Sequence, residues 1–127
     1  MNDPLLMESL ALENGLTLDL LDASRTLAGD RWLIHLVARI RIPLTPDLLE
    51  GVPDGPRLLD RLRQEFGEAL EYRADLKRHF VGDKERDTML RSFVDIVRRE
   101  KLPYLSHPDF ARRFAVRCGN EIKWGPW

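Results

Sequence analysis

The chain has 127 residues, of which 43% are hydrophobic and 32% charged, and 20 Lys and Arg against 21 Asp and Glu leave a net charge of −1. This is the composition of one soluble globular domain, long enough to form a core without a metal or disulfide staple. It argues against a dedicated nucleic-acid binder, which is basic overall, and the short apolar stretches argue against a membrane helix.

Leu10 and Leu12 precede Glu13-Asn14-Gly15, and Leu16, Leu18 and Leu20 follow. Asn-Gly between alternating apolar runs signals a hairpin. A two-residue turn would set Glu13 opposite Leu16 and send the two leucine sets to opposite faces. A loop of Glu13-Asn14-Gly15 sets Leu12 opposite Leu16 and Leu10 opposite Leu18 instead. The longer loop is therefore expected, with Gly15 left-handed in a bulge. The segment from Asp22 to Asp30 reads as a loop.

From about Arg31 to Ile42 the chain carries its strongest signal. Trp32, Ile34, Leu36, Ala38, Ile40, Ile42 and Leu44 are apolar, while Arg31, His35, Arg39 and Arg41 lie between them. A period of two belongs to a strand with one buried face. Pro43, Pro46, Pro53, Pro56, Gly51 and Gly55 then interrupt the chain up to Arg57. Leu58, Leu59, Leu62 and Phe66 follow at helical spacing, with Gly67 placed to end the helix.

After Gly67, Leu70, Tyr72, Ala74, Leu76 and Phe80 alternate with Glu71, Arg73, Asp75, Lys77 and His79. The pattern predicts a strand over 68–81, although Arg78 breaks the apolar face. The Glu, Ala, Lys and Arg content suits the alternative, one helix from about 57 to 80. Asp83 is the expected N-cap of the next helix, whose apolar stripe is Met89, Leu90, Phe93, Val94, Ile96 and Val97. Pro103 is expected to end it. Ser106 then reads as the N-cap of a shorter helix, with Asp109 at the capping-box position, Phe110 and Phe114 on the inner face, and Gly119 as its close.

The order β-β-β-α-β-α-α, with every strand apolar on one side, predicts a single α+β domain over 1–127. It would hold a mostly antiparallel sheet with helices packed on one face. Residues 1–7 and 119–127 are read as flexible tails. The strand order beyond the first hairpin is left open.

The runs Leu12-Glu13-Asn14-Gly15-Leu16-Thr17-Leu18 and Tyr104-Leu105-Ser106-His107-Pro108-Asp109-Phe110 resemble segments of short uncharacterised bacterial proteins of similar length. That resemblance implies no activity, and no functional residue is carried over from it.

Four groups of residues are candidates for function. The first is the outer sheet face: Leu33, His35, Val37, Arg39 and Arg41 on the long strand, with Arg73, Lys77 and His79 on the last one. Leu33 and Val37 interrupt a polar face, which suggests that a partner covers them. Such a face could also hold phosphates, but it lacks the aromatics on which bases stack, and Glu71 and Asp75 dilute its charge. Nucleic acid is therefore disfavoured.

The second group is His35 and His79 with Glu71 or Asp75. Their sequence spacing matches no metal pattern, so no metal or other cofactor is expected. The third is Cys118, the only cysteine. Arg112, Arg113 and Arg117 lie near it, but a helix C-terminus disfavours the thiolate, and His107 has no evident catalytic partner. The fourth is the pair of tryptophans near the C-terminus. Trp124 is expected to pack on the domain, and Trp127 is a candidate anchor for a partner.

The lone cysteine, and a start at Met1-Asn2-Asp3-Pro4 without signal-peptide character, lead to an expected cytoplasmic location. The expected function is a small protein-interaction or regulatory domain acting through the outer sheet face on a protein partner or as a homodimer. The alternatives are an enzyme with a cleft near the Pro43–Pro56 loop, which is less favoured, and a weak nucleic-acid binder using the basic sheet face.

Overall fold

A computed structural model of the chain describes residues 3–122. Five strands form one antiparallel sheet: β1 (Leu5–Ala11), β2 (Thr17–Asp22), β3 (Arg25–Ala28), β4 (Arg31–Pro43) and β5 (Ala69–Gly82). β4 is the central strand. β2 and β3 pair in succession along one side of it, β5 pairs along the other, and β1 lies outside β2. With the helices described below, the fold is α+β.

The alternation in β4 sets the core. Ile34, Leu36, Ala38, Ile40, Ile42 and Leu44 are all buried, joined by Leu18 and Leu20 of β2 and Leu70 of β5. Trp32 stays half-buried, because its indole N–H donates to Asp83 Oδ1 (3.0 Å) and the Arg86 guanidinium lies 4.4 Å over its ring. The first hairpin has the longer loop. Leu12 N–H donates to Leu16 O (2.8 Å), Leu10 stands opposite Leu18, and Gly15 sits at φ +89°.

Residues 69–82 are strand throughout. Twelve cross-strand partners on β4, from Pro43 to Arg31, outweigh the helical propensity of its Glu, Ala and Lys. The segment expected as a loop at 22–30 also holds a strand. Ala23 N–H donates to His35 O (2.9 Å) and His35 N–H donates to Ser24 Oγ (3.0 Å), so the kink never leaves β4 and pairing resumes as β3.

A 3₁₀ turn (Pro46–Leu49) leads to α1 (Gly55–Phe66), which Gly67 ends at φ +85° with its N–H on Arg63 O. A second 3₁₀ turn (Asp83–Glu85) leads to α2 (Arg86–Ile96), a π turn (Val97–Lys101) and α3 (Leu102–Leu105); α4 (Phe110–Glu121) follows. Leu59, Leu62, Phe93, Val97, Leu105, Phe110 and Ala115 pack into the same core as the even residues of β4, so the helices cover one face of the sheet. Tyr72 meets Phe110 and Phe114 edge-on, with centroids 5.5 and 5.8 Å away.

Four details of the helical half differ from the sequence reading. Asp83 does not cap α2, because its carboxylate takes the Trp32 indole. Pro103 does not stop the helix, because the π turn before it inserts an extra residue, with Leu102 N–H reaching back to Val97 O, and the chain makes one more turn. Ser106 closes α3, donating from Oγ to Leu102 O (2.7 Å), while Asp109 precedes α4. Gly119 lies inside α4, where a Cβ would come within 2.4 Å of Leu58 Cδ1 on α1. It is a close-packing glycine between two helices.

Residues 5–7 and 119–121, expected in tails, lie in β1 and α4. Trp124 and Trp127 lie outside the described residues.

Candidate functional site

The outer face of the sheet is built by the odd residues of β4 and β5. The register sets His35 beside Lys77, Val37 beside Asp75, Arg39 beside Arg73 and Arg41 beside Glu71. The register thus brings basic residues of the two strands side by side. His79 falls instead in a bulge that breaks the register between Arg78 and Val81.

At the centre of this face is a polar cluster. His35 Nε2 lies 2.6 Å from Asp75 Oδ1, and Arg73 donates to both carboxylate oxygens of Asp75 at 3.1–3.3 Å. The hydrogen bond from Arg73 holds the Asp75 carboxyl below the usual carboxylate range against the opposing effect of burial, with a lesser contribution from the His35 hydrogen bond. Asp75 in turn raises Arg73 further. Arg39 bridges Asp19 (3.8 Å) and Glu71 (3.7 Å), so the face alternates in sign. Arg41, Lys77 and His79 form no ion pair with a described residue.

Leu33 and Val37 require a correction. They are 6% and 3% exposed within the chain itself, outside the main core. β4 has strands on both sides; Val37 stands between Leu21 and Asp75, and Leu33 beside Arg25. Neither residue therefore offers a partner much surface, and their apolar character needs no partner to explain it.

The apolar group that is exposed on β5 is Phe80, 70% accessible and held in the bulge at φ +58°. Bulky residues rarely adopt that conformation. One hint of it was visible in the chain, an apolar residue placed just after Arg78 had broken the alternation.

The strand edge is the larger omission. Among the described residues β5 pairs with β4 alone, leaving its other side open over 14 residues. Leu44 N–H donates to Glu68 O (2.9 Å), and carrying that register along the ladder turns the main-chain groups of Leu70, Tyr72, Ala74 and Leu76 toward β4. The N–H and C=O groups of Glu71, Arg73, Asp75 and Lys77 therefore point outward from the sheet. No pattern within β5 could reveal this, because an edge is defined by the strand order.

Other sites are less developed. One groove at the Pro43–Pro56 loop, about 480 Å³, presents Asp47 and Glu50 but no histidine, cysteine or hydroxyl side chain, and another, about 660 Å³, presents Arg41, Thr45, Arg63 and Glu68 but no histidine or cysteine. No hydroxyl or thiol of the described residues hydrogen-bonds the His35 ring, so the His35–Asp75 pair lacks a nucleophile. No three His, Cys, Asp or Glu residues among those described cluster as metal ligands. Burial, helped by Glu121 and opposed by Arg117, pushes the Cys118 thiol up, away from nucleophilic character. His107 Nδ1 accepts from Asp109 N–H (3.0 Å), a local turn contact. No helix of the described residues is long and apolar enough to cross a membrane.

Comparison of the chain with protein-family models, curated proteins and solved structures yields no match.

Proposed function

We propose that this protein is a small protein-interaction domain that engages its partner through the outer sheet face at the β5 edge. The observation that carries this reading is the open side of β5, whose outward main-chain groups belong to the charged residues Glu71, Arg73, Asp75 and Lys77. Such an edge is a template for strand addition: main-chain hydrogen bonds supply affinity, and the alternating side chains supply selectivity. Glu71, Arg73, Asp75 and Lys77 line it, with Arg39 one strand inward, and the exposed Phe80 ends it. The reading keeps the outer face expected from the sequence but moves its centre from Leu33 and Val37 to β5. A cytoplasmic setting goes with it, since a single half-buried thiol suits a reducing compartment.

The test is site-specific photocrosslinking in cells that express the full chain. A photoreactive residue at Lys77 should give protein adducts, and the same group at the exposed Arg99 on the π turn should not. Absence of adducts from Lys77, or equal labelling from both positions, would overturn the reading.

A further inference from the structure

We infer that the occupant of the β5 edge is a second copy of this chain, joined by antiparallel pairing of the two β5 strands about a two-fold axis at Ala74. This rests on the reading of β5 as the interaction edge and identifies the partner.

Residues directly opposite in an antiparallel pair share a face, so odd residues of one β5 must meet odd residues of its twin. The self-pairings that remain are centred on single residues, and the charge sequence separates them. Centred on Ala74, Glu71 stands opposite the partner's Lys77 and Arg73 opposite the partner's Asp75. Symmetry repeats both, so every charged pair on the outer face is complementary. Centred on Asp75, the two Asp75 carboxylates meet and Arg73 faces the partner's Lys77. Centred on Arg73, two guanidiniums meet and Glu71 faces the partner's Asp75. Moving the axis further, to Tyr72 or Leu76, retains a single kind of complementary pair and shortens the ladder.

Backbone geometry agrees with the charges. Glu71, Arg73, Asp75 and Lys77 carry the outward N–H and C=O groups, so the complementary pairs are also the hydrogen-bonded ones. Ala74 becomes a non-hydrogen-bonded pair on the axis, where Cα atoms approach to about 4.5 Å, and it is the smallest residue on the helix side of the strand. Tyr72 then meets the partner's Leu76, each only half-buried in the single chain.

Strand length gives the same centre. Regular pairing of β5 with β4 runs from Ala69 to Arg78 and breaks at the bulge. A ladder centred on Ala74 uses residues 70–78 and stops where the bulge begins. The other open edges offer less: β1 is broken between Leu6 and Glu8, leaving only Glu8–Ala11 in regular register, and β3 has four residues with a break between Thr26 and Ala28. Alternating charges on an edge ordinarily keep it from pairing with itself. In β5 their order fits its own reverse.

The experiment is sedimentation of the full chain from micromolar to millimolar concentration, with charge-reversed variants. Wild type should form dimers. Arg73→Glu and Asp75→Arg should each weaken the dimer about tenfold or more, because each sets like charges opposite one another. An equimolar mixture should restore it, because every cross-strand pair in the mixed dimer is again complementary. Asp75 also holds His35, so Glu71→Lys and Lys77→Glu repeat the design with residues outside that cluster. Under oxidation Ala74→Cys in a Cys118→Ser background should cross-link to its twin, and Asp75→Cys in that background should not.

A wild type that stays monomeric, a mixture that does not reassociate, or cross-linking through Cys at 75 in place of 74 would each overturn the inference. So would a dimer lost on Leu6→Asp but indifferent to the β5 charges. Lys77 photo-adducts to other proteins alone would remove the twin and leave the interaction reading standing, whereas no adducts would remove both.

Discussion

The side-chain amide of Asn14, at the tip of the first hairpin, donates to the main-chain carbonyl of Leu105 across 2.8 Å. The same amide reaches His107 O (3.0 Å), and its oxygen accepts from Leu16 N–H (3.1 Å). One residue thus shapes its own turn and fastens the hairpin to the turn between α3 and α4, 91 residues away in sequence.

Asn14→Ala should cost about 1–3 kcal/mol, because it leaves the partly buried Leu105 carbonyl without its donor and Leu16 N–H without its acceptor, while His107 O keeps Phe110 N–H. Asn14→Asp keeps the acceptor for Leu16 but places a carboxylate against two carbonyls, so it should cost at least as much. Urea unfolding of wild type and the two variants checks the order. An Asn14→Asp protein as stable as wild type would show that the two donated bonds contribute nothing.

The contact of Gly119 with Leu58 predicts a coupled pair. Gly119→Ala removes a glycine from a helix interior, a gain of up to about 1 kcal/mol. The new Cβ would fall 2.4 Å from Leu58 Cδ1, the movable end of a half-buried side chain, so the overlap should offset that gain and leave a net loss of no more than about 1 kcal/mol. Leu58→Ala in the same chain should recover part of that loss. Additive effects in a double-mutant cycle would mean that the helices can separate freely at this point.

Phe80 leads to the opposite expectation from a core phenylalanine. It is exposed and held at φ +58°, so replacing it with Gly removes backbone strain and little packing. Phe80→Gly should leave stability unchanged or raise it by up to about 1 kcal/mol. A loss of the size seen for buried aromatics, about 3 kcal/mol or more, would mean that the ring is packed in solution.

What the sequence disclosed follows a physical line. β4 was legible because alternation is a local property, and the hairpin because a slip of one residue would have split the leucines between two faces. β5 was legible as a strand although its composition favours helix. Less local features were not. Val37 lies on the outer face as its parity requires, but whether it is covered depends on which strands flank β4. The open edge of β5 and its main-chain directions also follow from strand order. Ser106 and Pro103 carry ordinary capping and stop signals, which were overridden by the π turn over Val97–Lys101. Asn14 was readable as a turn residue, but its hold on Leu105 required knowing what the turn would meet.

The His35–Asp75–Arg73 cluster makes stability depend on acid in a defined direction. Hydrogen bonds from Arg73, followed by His35, hold the Asp75 carboxyl below its ordinary value in the folded chain. A group whose folded pKa is depressed favours folding above its unfolded pKa, about 3.9, and that contribution disappears as pH falls through the lower folded value. Asp75 is about one-third exposed, and solvent screens such pairs, so the contribution at neutral pH should be no more than about 1 kcal/mol. Asp75→Asn should therefore lower the urea midpoint at pH 7, and the gap from wild type should close as pH falls through the acid range. The closure should be centred below about 3.9, since it follows the folded carboxyl. A gap that persists in full to about pH 2 would show that charge on Asp75 contributes nothing. A gap that closes well above about 3.9 would show that the carboxyl is raised by burial, with Arg73 and His35 failing to hold it down.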